Sequence, residues 1–355
     1  MTVLLTGGAG FVGQHLARRL VDLGHRVAAL DVLLGQVHAD PDAAVAAFPG
    51  TVVVGDVTDP AAWRHPDLPD DVTAVVHLAA ETGTGQSMYE ARRHHEVNVG
   101  GTRRALDHAR EHGAAVVLLS SRAVYGEGRY ACPEHGDLVG ERCCARGLPQ
   151  PSREDDPHRP VSVYGETKSL AEAEAGSAAG ELPVTVVRPQ NVVGPGQSLH
   201  NPYTGVLAAF LAMLREGRPL TVYGDGHQTR DLLHVDDLAA LLAWTLAHPP
   251  AVGTSRVLNA GSGIRTSLVE LAAAAADGAP VPAPGVTHLD VHRAGDIEHA
   301  CADLSRLRGL GAPMPRWSPH DAVADFVRHS WDQPGARASA WDDALDELTR
   351  RGLTS

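Results

Sequence analysis

The chain has 355 residues, with 30 Lys and Arg against 43 Asp and Glu, so its formal net charge is −13. A hydrophobic fraction of 43% and a charged fraction of 21% exclude a disordered chain and describe a globular one. The acidic balance argues against nucleic acid or an anionic membrane as partner, because like charges repel at long range.

Short β-branched runs alternate with helical patterns from the first residues onward. Val3–Thr6 predicts a strand, Phe11–Leu23 a helix, and Arg26–Leu30, Thr51–Val54, Ala74–Leu78 and Val116–Ser120 further strands. These strands are too uniformly apolar to have one wet face. A helical stretch over Glu90–Glu111 joins the last two. Buried strands linked by crossover helices imply an α/β fold with a parallel, doubly wound sheet. A helix over Ser162–Ala179 and a strand over Val184–Arg188 extend it. The pattern then loosens into loops, with helices near Gly205–Glu216, Val235–Ala247 and Ser267–Ala276. We read a dinucleotide-binding domain over 1–190 and a smaller α+β substrate domain over 191–335 that shares elements with it. A helical tail over 336–355 follows, amphipathic and exposed, with Trp341, Leu345 and Leu348 on its apolar side.

Gly7-x-x-Gly10-x-x-Gly13 falls between the first strand and the first helix. This spacing lets the backbone turn tightly and approach a pyrophosphate, with helix-start N–H groups facing the anion. Glycines also serve ordinary turns. Here the strand–turn–helix context points to a dinucleotide, as does Asp31 at the end of the second strand, 18 residues after Gly13. Its carboxylate accepts from both ribose hydroxyls and repels a 2′-phosphate, which favours NAD over NADP. Asp56 is expected near the adenine end.

Tyr164 and Lys168 stand four apart on one helical face. A free tyrosine has a pKa of ~10 and is a poor base at neutral pH. A nearby ammonium and the positive nicotinamide ring lower that value, which suits a general base for a sugar hydroxyl. Ser121 closes the fifth strand at the carboxyl edge of the sheet, where ligands of open α/β folds bind. Each feature alone is a common accident; in order with the glycine motif they form a set.

In these features the chain resembles the extended short-chain dehydrogenase/reductases of the nucleotide-sugar epimerase/dehydratase group. Its carriers are Thr6–Gly13, His77–Ala80, Asn98, Ser120–Gly126, Tyr164–Lys168, Arg188–Gly196 and Arg230–Asp237. A closer resemblance, through Gln36–His38, Gly85–Glu90 and Ser198–Leu207, is to dTDP-L-rhamnose 4-epimerase-like members. The resemblance implies a Rossmann fold and a Ser121/Tyr164/Lys168 catalytic triad. It implies an NAD site lined by Gly7, Gly10, Phe11, Val12, Gly13, Asp31, Asp56, Val57, Leu78, Ala79, Ala80, Asn98, Tyr164, Lys168 and Pro189. It places Ser121, Arg122 and Asn191 at the sugar and Arg230 and Arg293 on the diphosphate of a nucleotide sugar. It also implies a homodimer, through the helices over Glu90–Glu111 and Ser162–Ala179.

Dehydratases of this group carry Asp-Glu after the catalytic Ser or Thr; here Arg122 and Ala123 follow. That departure disfavours elimination and leaves C4 epimerisation through a transient 4-keto sugar, with NAD regenerated each turn. The rival readings are a 4-ketoreductase, a 4,6-dehydratase with an unmatched carboxylate, and a non-catalytic NAD-binding scaffold.

Between about 127 and 160 the chain carries an insertion, expected to border the sugar pocket. Cys132-Pro133-Glu134-His135 and Cys143-Cys144 offer the ligand types of structural zinc. Their spacing is irregular and no second paired motif follows, so the reading is a surface lid with unpaired thiols and no metal. Most of the 20 histidines are expected to be solvated or satisfied. The N-terminus lacks a basic n-region, and Ala239–Ala247 and Leu268–Ala276 fall short of the ~20 residues a bilayer span needs. A cytoplasmic protein is the expectation.

Overall fold

Strands apolar on both sides persist only where both faces of the sheet are covered. β1 (Thr2–Thr6) meets that condition, with all five residues buried. The structure, a computed structural model, describes residues 1–140, 142–144, 146–199, 205–291, 297–335, 337–350 and 352. After β1 come α1 (Phe11–Asp22), β2 (Arg26–Asp31), α2 (Pro41–Ala47), β3 (Thr51–Val54) and β4 (Ala74–His77). Next are α3 (Thr84–Ser87), α4 (Ala91–His95), a π-helical turn (Glu96–Gly101), α5 (Thr102–His112) and β5 (Ala115–Leu119). A 3-10 turn (Arg122–Tyr125) leads to β6 (Arg129–Cys132), β7 (Gly136–Val139) and β8 (Leu148–Gln150). Then follow α6 (Val163–Ala178), β9 (Val184–Pro189), β10 (Asn191–Val193), α7 (Val206–Arg215) and β11 (Leu220–Tyr223). β12 (Thr229–Arg230), β13 (Leu232–His234), α8 (Val235–Ala247), β14 (Ser255–Ala260) and β15 (Thr266–Ser267) come next. The chain ends with α9 (Leu268–Gly278), β16 (Val286–Leu289), α10 (Ser305–Gly309), α11 (Pro319–Ser330) and α12 (Ala338–Arg350).

Seven parallel strands form the main sheet in the order β14-β9-β5-β4-β1-β2-β3. The order reverses between β1 and β4, so a crevice opens at their carboxyl ends. This is the doubly wound Rossmann arrangement. One core, containing Leu16, Leu20, Leu238 and Leu242, fills the face under α1 and α8. A second, containing Trp63, Leu106, Ala171 and Ala175, fills the face under α5 and α6. A third gathers α7, α9, α11 and Trp341 of α12.

Two expectations change in detail. The helical stretch over Glu90–Glu111 is not uniform: the wider π turn interrupts it and brings Asn98 inward. The tail helix is docked rather than exposed, because Ala338 is fully buried and Trp341 stacks on Tyr223 at 6.1 Å. Of Leu345 and Leu348 the side chains lie outside the described residues.

Candidate active site

The glycine turn does what its spacing requires. Gly7 sits at φ +66°, and a Cβ there would come within 2.8 Å of the Ala79 backbone nitrogen. A Cβ at Gly13 would come within 2.6 Å of the Gly8 Cα, so the first turn of α1 presses directly on the loop. Gly10 caps that helix without a side chain, and the opening N–H groups of a helix have no partner within it. Phe11, Val12 and Gly13 line a crevice of about 510 Å³ at the sheet's switch point.

Asp31 ends β2 and is 6% exposed. Its Oδ2 accepts from the Ala9 N–H at 3.0 Å and its Oδ1 from the Leu33 N–H at 2.9 Å. A carboxylate offers about four lone-pair sites, so acceptor capacity remains on each oxygen. His38 Nε2 lies 3.7 Å from Oδ1. Asp56 caps a turn by accepting from the Thr58 N–H at 2.8 Å, and Arg93 pairs with it at 2.9 Å. Burial pushes its carboxyl up, but the Thr58 and Arg93 hydrogen bonds prevail and hold it below the ordinary value. Arg93 also reaches Glu81 at 3.1 Å, which ties two walls of the crevice together.

At the opposite end, Ser121 follows β5 and caps the 3-10 turn, its Oγ accepting from the Ala123 N–H at 3.1 Å. Ser162 caps α6 from its side chain, and that helix carries Tyr164 and Lys168 on one face. Tyr164 and Ser121 line the crevice together. Lys168 Nζ donates to the Leu119 carbonyl at 2.9 Å. Burial raises the Tyr164 phenol above its ordinary value, while the nearby Ser121 hydroxyl and the Arg122 charge act the other way. The expected lowering is therefore not the work of the protein alone. Burial pushes the Lys168 ammonium down to about 8, opposed by Glu172. His77 is pushed down to about 3 by burial and by Lys168, so it stands neutral beside that cation.

A buried ion network braces this end. Glu172, two turns beyond Tyr164, pairs with Arg188 Nη2 at 2.7 Å and accepts from the Ser120 hydroxyl. Arg188 Nη1 donates to the Tyr125 hydroxyl at 2.7 Å, which donates to Asn259 Oδ1 at 2.6 Å. Helix α6, strands β9 and β14 and the turn after Ser121 are thereby fixed to one another.

Gly7, Gly10, Asp31, Asp56, Val57, Leu78, Ala79, Ala80, Ser121, Arg122, Tyr164, Lys168, Pro189 and Asn191 share the crevice with the helix-start residues. Asn98 does not line it. Its amide donates to the Glu81 carbonyl and Thr167 Oγ1, each at 3.0 Å, and so secures the wall from behind. Arg230 also stands off the crevice, with Nη1 donating to the carbonyls of Thr229 and Glu298. Arg293 lies outside the described residues. Sequence reasoning gave no site role to Gln36, His38, Gln86, Arg93, Gln190, Gln197 or Ser198, all of which face the crevice. Gln36 Nε2 reaches Gln86 Oε1 at 3.1 Å, joining the loop after β2 to α3. Among the described residues, Gln190 Oε1, Gln197 Oε1 and Ser198 Oγ are buried without a hydrogen-bond partner. Buried polar atoms of this kind call for a ligand or water.

The model of the NAD dependent epimerase/dehydratase family matches residues 3–261. The chain is 42% identical over 344 residues to the dTDP-L-rhamnose 4-epimerase of Burkholderia thailandensis, covering 91% of this chain and 93% of that protein. Its structure superposes with a TM-score of 0.77 and 27% identity on the UDP-glucose 4-epimerase of Thermus thermophilus in complex with NAD, over 94% and 100% of the two chains. It is also similar to DesIV, the dTDP-glucose 4,6-dehydratase of Streptomyces venezuelae solved with NAD, at TM-score 0.79 and 27% identity over 96% and 99%.

Proposed function

Because the chain belongs to the NAD dependent epimerase/dehydratase family, we propose that it is an NAD-dependent nucleotide-sugar 4-epimerase. Its substrate is a dTDP-hexose such as dTDP-L-rhamnose, or a UDP-hexose or uronate. The observation that carries this reading is the convergence of Ser121, Tyr164 and Lys168 in the same crevice as the glycine turn and Asp31. Similarity to the Burkholderia thailandensis 4-epimerase supports the choice of sugar nucleotide.

The residues present fit the dinucleotide. A side chain at Gly7 would block the close approach, and Asp31 keeps acceptor capacity for two ribose hydroxyls. NAD, when bound, supplies the acceptor and donor of a hydride. Tyr164 takes the proton of the C4 hydroxyl, and Ser121 Oγ shares that hydrogen bond. Lys168 holds positive charge beneath them. Gln190, Gln197, Ser198 and Asn191 contact the sugar, while a grip on the diphosphate by Arg293 and Arg230 requires Arg230 to turn from the Thr229 and Glu298 carbonyls that now hold it outside the crevice. With the diphosphate held, the flat 4-keto sugar turns its other face to the crevice. Arg122 and Ala123 bring no carboxylate after Ser121, which favours epimerisation over the elimination performed by a dehydratase.

In this reading residues 1–190 bind the dinucleotide and 191–335 cover the sugar nucleotide, while the 127–160 segment, expected to border the sugar pocket, supplies none of the described residues that line the crevice. The protein works as a cytoplasmic homodimer. The test is Tyr164→Phe. Turnover of dTDP-L-rhamnose or UDP-glucose, resolved by chromatography, is expected to fall by about 10²–10⁴. Nucleotide-sugar binding, followed by calorimetry, is expected to persist; near-native turnover overturns the assignment.

A further inference from the structure

The insertion cannot stabilise itself by burial. Strands β6, β7 and β8 form a three-stranded antiparallel sheet in which Tyr130 and Cys132 are the buried side chains, while β7 is exposed or half-exposed along its length. A unit this small needs a staple. Cys132 ends β6, and His135 precedes β7 in the hairpin turn between them. Cys143 and Cys144 lie in the loop that returns to β8. Folding thus gathers what the irregular spacing hid: Cys132, His135, Cys143 and Cys144 place four ligand atoms within 4.8 Å of one another.

We propose that these four residues bind one zinc ion, a structural site held by three thiolates and an imidazole. The distances have the size a tetrahedron demands. A Zn–S bond of about 2.3 Å gives a sulfur–sulfur edge of about 3.8 Å, and an imidazole nitrogen gives a mixed edge of about 3.6 Å. Cys132 Sγ lies 3.7 Å from Cys144 Sγ and 3.4 Å from His135 Nδ1, and Cys143 Sγ lies 3.7 Å from Cys144 Sγ. All the thiols are free, Cys301 lying apart from the cluster. Three thiol protons leave as the dication binds, so the completed centre carries one negative charge.

The site has a structural address. Arg142, next to Cys143, pairs with Glu298 at 3.2 Å, and the Glu298 carbonyl accepts from Arg230 Nη1 at 3.3 Å. Zinc would thus anchor the segment one residue away from an arginine proposed for the diphosphate.

The experiment uses the full chain, purified without a polyhistidine tag from zinc-replete cells. Elemental analysis is expected to give about one zinc per chain, and mass spectrometry four reduced cysteines. Cys132→Ser and His135→Ala are expected to lose most of the metal, and Cys301→Ser to keep it. Should those variants prove insoluble, cobalt substitution of the wild-type chain decides. A tetrahedral cobalt spectrum with a thiolate charge-transfer band is the expected result. An octahedral spectrum overturns the proposal. So does a wild-type chain without zinc after dialysis against zinc chloride, or a disulfide between any two of the clustered cysteines.

Discussion

Lys168 shows how one side chain separates activity from stability. Its ammonium is pushed from 10.5 down to about 8, so the charge is lost as pH rises through about 8. Between about 8 and 10.5 the unfolded chain binds the proton that the folded chain has released, so this group makes the fold more stable as pH climbs. Turnover is therefore expected to decline through pH ~8 with no loss of fold from this group. Rate profiles and denaturant unfolding across that range check it, and Lys168→Met should flatten the stability slope. The Tyr164–Lys168 pair was legible because a spacing of four on a helix has one geometric meaning. Gln190, Gln197 and Ser198 were not, because an unpaired buried oxygen is a property of the packed surroundings and leaves no trace in residue type. Asn98 was legible as important but not as a wall brace, since its role rests on partners 17 and 69 positions away.

At the scale of elements, the apolar periodicity located α1, α6 and α8 nearly to their ends. The π turn at Glu96–Gly101 has no comparable signature, since an extra residue in a helix changes the phase without changing composition. The insertion was legible as a segment, while its metal-sized cluster needed the β6–β7 hairpin to bring distant cysteines together. Helix α12 was misjudged as exposed for a related reason: an amphipathic pattern gives the apolar face but not what covers it. Trp341 is 8% exposed, and the Ala338 N–H donates to Glu216 Oε1 at 2.9 Å. Trp341→Ala is expected to cost about 3 kcal/mol, within the range for deleting a buried aromatic. Urea unfolding checks this; a change under about 0.5 kcal/mol, typical of surface substitutions, would show an undocked helix.

For the whole molecule, the parallel sheet was legible because doubly covered strands cannot alternate polar and apolar residues. Its far edge was not, since β14 comes from beyond residue 250 and its near-uniform apolar run is short. The proposed pairing of two copies belongs at this scale. Arg103 pairs with Glu174 at 2.6 Å and Arg110 with Glu181, in the turn beyond α6, at 2.9 Å, fastening α5 to α6 and the turn that follows it, and Leu170 on α6 is 40% exposed. Light scattering is expected to report twice the 37.3 kDa chain mass, and Leu170→Glu to shift the population toward single chains. A wild-type protein that stays monomeric at every concentration rules the pairing out.

Strand β14 has one more consequence, which concerns synthesis. The ribosome delivers Tyr164 and Lys168 long before Ser255–Ala260, the outermost strand of the main sheet. Until that strand arrives, β9 presents an open row of backbone donors and acceptors, a ready template for another nascent chain. Asn259 arrives with it, so Tyr125 also waits for its acceptor. Translation that halts between Pro189 and Ser255 thus leaves a product with Ser121, Tyr164 and Lys168 all present and one raw, adhesive border.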